Sequence, residues 1–150
     1  MNINIVVREP DYPEIRDLME GRRDLFGEFV YLGLKHRVVH REKVSAETPA
    51  DYVFPNDDVD GVEINVWNNA DLRFAKPIVL HEFTEWLARE RFRRARGPFF
   101  HAYEPGSKAT AHAIATGFDE KYAQEIFDEQ TLKDYLAYKV HCAESRFIST

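Results

Sequence analysis

The residue types best able to do chemistry in this chain are concentrated in the run Pro77-Ile78-Val79-Leu80-His81-Glu82-Phe83-Thr84-Glu85. His81 and Glu85 stand four positions apart, so on a helix they share a face one turn from each other and can chelate one metal ion. Glu82 projects about a quarter turn away, where a carboxylate can take a proton from a metal-bound water. The run differs from the HExxH spacing only in its last ligand, and a carboxylate oxygen is also an acceptable ligand for zinc. Taken alone, the same residues also fit an exposed His–Glu helix pair worth a few tenths of a kcal/mol, with Glu82 facing water.

A second stretch, Ala111-His112-Ala113-Ile114-Ala115-Thr116-Gly117-Phe118-Asp119, puts His112 and Asp119 two turns apart on one face. Ala115 lies between them and is small enough to let another helix approach closely. Steric packing, with His112 capped by a neighbouring carboxylate, accounts for this helix equally well when it is read by itself. Read together, the two stretches make His81, Glu85, His112 and Asp119 candidate ligands of a single zinc ion and Glu82 a candidate general base.

From about Ile78 to Asp119 these residues resemble a group of short bacterial zincin-like proteins with the pattern HExxE, a gap, then AHxxAxxxE. The resemblance implies a first helix offering His81 and Glu85, a second offering His112, and a metal-dependent hydrolase ancestry. Asp119 stands where that pattern has Glu, and its shorter side chain has less reach toward a shared ion. Three and six residues beyond Glu85 stand Ala88 and Arg91, so the extended metalloprotease signature with three histidines is absent.

Helices must carry both stretches. The first is expected to open at Pro77 and run to about Arg96, stopped by Gly97-Pro98. Helical sequence follows from about Ala109 to Glu129 and from about Leu132 to Phe147. On a wheel, Val79, Phe83, Trp86 and Leu87 form a core stripe, while His81, Glu85, Ala88 and Phe92 fall nearly opposite, facing solvent or a cleft. Upstream, Asp60-Gly61 is a turn signal, and Val62 to Trp67 alternates apolar and polar residues as a strand does. That strand is expected beside the site, where its edge could hold an extended peptide by backbone pairing. Residues Ile3 to Val7 and Arg37 to Val44 also read as strands, and Ser45 to Gly61 as a long surface loop. A helix is expected from Tyr12 or Pro13 with Asp11 as N-cap, and Leu25 to Leu34 is open between helix and strand. The expected fold is α+β: one domain over residues 1–150, with a small sheet, a zincin-like active-site helix and packed C-terminal helices.

Composition narrows the function further. The 150 residues are 44% hydrophobic and include eleven Phe, seven Tyr and two Trp, enough for one sizeable core. Cys142 is the single cysteine, which rules out an internal disulfide or a thiolate zinc cage and suits a reducing compartment. The opening MNINIVVREP has neither a basic start nor an apolar stretch long enough for export, and no later run suits a bilayer, so a cytoplasmic location is expected. A formal charge of −6 argues against nucleic acid as a partner. The basic run Arg89, Arg91, Arg93, Arg94 and Arg96 reads as a solvated helix C-terminus, where cations complement the macrodipole. His36, His40, His101 and His141 show no ligand spacing and read as surface or satisfied interior residues. Nucleophile elbows, paired Glu-x-x-His motifs and phosphate-binding glycine loops are all missing. These features lead to a metal-dependent, peptidase-like hydrolase acting on a peptide or protein. The alternative is a non-catalytic protein-interaction module on the same scaffold, its metal structural or lost.

Overall fold

The computed structural model of the chain describes residues 10–41, 49–53, 59–68, 70–96 and 107–148. The strand expected at Ile3–Val7, the end of the one expected at Arg37–Val44 and the Gly97-Pro98 stop lie outside them. The architecture is α+β. Helix α1 (Tyr12–Glu20) is followed by strands β1 (Gly27–Tyr31), β2 (Leu34–Arg41), β3 (Ala50–Val53) and β4 (Glu63–Trp67). Three long helices follow, α2 (Ala75–Arg96), α3 (Ser107–Ile126) and α4 (Glu129–Ile148). None of the helices, over the described residues, is long and apolar enough to cross a membrane. Asp11 occupies the N-cap position of α1 with extended backbone, but its side chain makes no capping bond.

The segment left open between helix and strand forms a hairpin. Leu32 and Gly33 both adopt positive φ, at 54° and 76°, the two-residue turn whose twist matches the flanking strands. The sheet order is β1-β2-β4-β3, with β2 and β4 parallel and the other two pairs antiparallel. Two expectations are corrected here. The presumed loop from Ser45 to Gly61 contains β3, whose four residues are too few to show a period. And β4 is interior, hydrogen-bonded to β2 on one side and β3 on the other, so it offers no edge to a peptide.

Nor does the alternation in β4 produce a wet face, because Glu63 through Val66 are all buried. Its polar positions are instead satisfied within the sheet. Glu63 accepts from Arg37 and Arg41, while Asn65 accepts from Arg41 and donates to Asp51. Burial works against ionisation of Glu63, but the two guanidiniums outweigh it and hold its carboxyl below the usual range.

Helix α2 is the centre of the fold, buried against the sheet on one side and against α3 on the other. The predicted stripe of Val79, Phe83, Trp86 and Leu87 is fully buried. Phe83 meets Phe29 and Tyr31 edge to face at 5.4 Å, and both Phe83 and Trp86 pack on the His36 ring. His36 is thus a satisfied interior residue. Its Nδ1 accepts from the Val62 N–H at 3.0 Å, which leaves the proton on Nε2, 3.2 Å from the Tyr31 carbonyl.

Burial lowers the His36 pKa from 6.5 to about 4 despite that carbonyl bond. Because the folded value lies below the unfolded one, the associated stability is present above pH 6.5 and is lost as pH falls toward 4. At 1.36 kcal/mol per pKa unit the loss is roughly 3 kcal/mol. Urea unfolding between pH 7 and pH 4 should show this drop, and NMR should show the His36 ring titrating at the low end. Gly61 lies against the same ring, and its N–H donates to the Lys35 carbonyl at 2.8 Å. A Cβ there would overlap His36 Nδ1 and crowd the Lys35 oxygen. Gly61→Ala is therefore expected to cost about 2 kcal/mol or more in urea, by displacing the ring from the Val62 N–H.

Candidate metal centre

The face of α2 turned away from the sheet carries His81, Glu85 and Ala88, and it packs on α3 rather than facing solvent. Small residues make this approach possible. Ala111 and Ala115 of α3 are fully buried, as the alanine-rich sequence leads one to expect. Asp119 lies opposite His81 and His112 opposite Glu85, so the two helices run antiparallel at the contact.

His81, Glu85 and His112 each present a ligand atom, and these atoms all lie within 4.8 Å of one another. The His112 Nδ1–H donates to Glu85 Oε1 at 3.2 Å, and the two imidazole centroids are 5.0 Å apart. Glu85 is buried, whereas the His112 side chain is 57% exposed, so the group opens to solvent on the α3 side. Burial would raise the Glu85 carboxyl, but the hydrogen bond from His112 and the electrostatic influence of His81, His112 and Arg89 hold it below its ordinary value. That is the charge state a metal ligand requires.

Asp119 is placed differently from the other candidate ligands. It stands outside the three-residue group, fully buried behind His81, and its Oδ2 accepts from the His81 Nδ1–H at 2.6 Å. Its Oδ1 accepts from the Tyr135 hydroxyl at 2.8 Å and from the Lys139 Nζ at 2.7 Å. The reason is reach: the short side chain spans the gap between helices only as far as the near nitrogen of the His81 ring. The Tyr135 phenol is pushed up by its own burial and by the Asp119 charge, so it stays a donor.

Tyr135 and Lys139 were not legible as site residues. They sit one turn apart on α4, and nothing in their types or spacing distinguishes them from an ordinary amphipathic pair. Arg89 was read as part of a solvated helix end, yet its Nη1 donates to the Tyr52 hydroxyl of β3 at 2.8 Å. Side chains of the rest of the basic run, and of Phe92, lie outside those described.

Glu82 is partly buried, and together with His81 and His112 it lines a cavity of about 490 Å³. Helices α2, α3 and α4 form its walls, and Pro49 and Ala50 at the start of β3 close one side. Two imidazoles and one carboxylate converging beside a cavity match the donor set of hydrolytic zinc sites, which keep one position open. A carboxylate behind a ligating imidazole is the usual supporting arrangement of such sites. By the chemistry of its donors, the group fits a divalent ion such as zinc. Comparison with protein-family models, with curated proteins and with solved structures finds no match to this chain.

Proposed function

We propose that this chain is a metal-dependent hydrolase of the peptidase type, in which His81, Glu85 and His112 hold one zinc ion and Glu82 is the general base. The observation that carries the reading is the convergence of three ligand atoms from two different helices within 4.8 Å, beside a cavity that Glu82 also lines. Zinc bound there supplies Lewis acidity toward a carbonyl oxygen and makes water acidic enough to attack near neutral pH. Glu82 takes the proton from the attacking water and returns it to the leaving amine. Asp119 keeps the His81 proton on Nδ1 and so leaves the Nε2 lone pair for the ion. Lys139 and Tyr135 in turn anchor Asp119, which orients the His81 ring.

A second reading draws on a specific feature of the same residues. Glu85 is hydrogen-bonded to His112 and His81 to Asp119, so these two pairs can tie α2 to α3 as a purely structural network in an interaction module. Metal analysis separates the two. The purified chain is expected to carry one zinc, to lose it in His81→Ala and in His112→Ala, and to melt lower after EDTA treatment. Zinc-free protein whose melting ignores both EDTA and added zinc would leave only the interaction module.

A further inference from the structure

The cavity beside the proposed metal centre has a wall of a different character. Among the described residues five large hydrophobic side chains are exposed, and two of them, Leu136 at 38% and Val140 at 57%, line this one cavity. They stand one turn apart on α4, so they form a continuous stripe, and Ile78 of α2 lines the same cavity. Exposed apolar surface scattered over a protein needs no explanation, but apolar surface gathered in a concave site beside a few polar groups is the composition of a ligand pocket. A volume of about 490 Å³ falls within the range of pockets for small molecules or single peptide side chains.

The charges in the wall narrow the ligand further. Among the described residues Lys139 is the only Lys or Arg in the lining, and its Nζ is shared between Asp119 at 2.7 Å and Glu120 at 3.3 Å. Glu82 and Glu120 add carboxylates to the lining. An acidic substituent entering here would meet like charge and a cation already held by two acids, and would have to give up its water for neither.

We infer that the α4 wall is the specificity surface of the proposed hydrolase, and that it receives an uncharged apolar group, an aliphatic or aromatic side chain or acyl chain, next to the bond that is cleaved. The inference rests on the metal-dependent reading above and names its substrate class. The stripe accepts methylene groups that leave water, while His81, Glu85 and His112 set the distance at which the carbonyl sits.

Straight-chain hydroxamates of two to six carbons test this on the zinc-loaded 150-residue chain by titration calorimetry, because the headgroup reports on the ion and the tail on the wall. Affinity is expected to rise roughly threefold per added methylene, on the order of a hundredfold from acetohydroxamate to hexanohydroxamate. The dicarboxylic analogue, with an acid at the end of the tail, should lose that gain. In Leu136→Asp/Val140→Asp the dependence on chain length should vanish while zinc content and acetohydroxamate affinity stay unchanged. The milder pair Leu136→Ala/Val140→Ala should flatten the dependence by several-fold if the charged pair fails to fold. Zinc-loaded protein with the same affinity for every chain length overturns the inference alone. So does light scattering that shows a dimer dissociated by the α4 substitutions, since the stripe would then be an interface between copies. A chain that takes up no zinc overturns the hydrolase reading itself.

Discussion

In Glu82→Gln, zinc is expected to stay bound at one ion per chain while the proposed hydrolysis falls by about 10²–10⁴-fold, the usual contribution of a positioned general base. Gln has nearly the same volume and can still accept a hydrogen bond from water, but it cannot take the proton. Glu82 lines the cavity next to His81 and is not a member of the His81, Glu85 and His112 group, so metal content separates loss of the base from loss of the site. The defect should appear in kcat, with KM little changed, because substrate contacts along the α4 wall are untouched. Full turnover in this variant would remove Glu82 from the mechanism. Loss of zinc along with activity would instead place its carboxylate on the ion.

Asp119→Ala should have the largest effect on stability of any single change at the centre. The carboxylate is 1% exposed and accepts from three donors on two other helices, His81, Tyr135 and Lys139. Its removal strands the buried Tyr135 hydroxyl and takes from the Lys139 ammonium the nearer of its two acids, leaving Glu120, at a cost of about 3–5 kcal/mol in urea unfolding. Because His81 then loses the group that fixes its ring and tautomer, zinc affinity measured by chelator competition should fall about 10–100-fold. Asp119→Asn keeps the volume and one accepting oxygen, so it should recover part of the stability and less of the zinc affinity. Unchanged affinity in both variants would reduce Asp119 to a structural tie between helices. A variant unable to hold zinc at all would return Asp119 to the ligand set that its position in the sequence suggested.

Both predictions depend on residues that sequence spacing exposes to different degrees. His81, Glu82 and Glu85 belong to one helix, and a helix's periodicity converts spacing into direction, so their shared and separate faces follow from their numbers. The core stripe of α2 and the three C-terminal helices are local features of the same kind. The α2–α3 contact was legible as well, because buried Ala111 and Ala115 announce a close approach before its partner is known.

What the sequence by itself determined rests on short-range rules: an α+β chain, its long helices, and a set of imidazoles and carboxylates whose helix faces follow from their spacing. Only the tertiary structure decided the pairings between segments. It put β4 inside the sheet rather than at an edge, and it set Asp119 behind His81 rather than within the three-residue group. It also brought Tyr135, Lys139, Leu136 and Val140 of α4 to the cavity. The physical reason is that helix and strand periods report which way a side chain points along its own element, whereas partners across elements are chosen by the packing of the whole core.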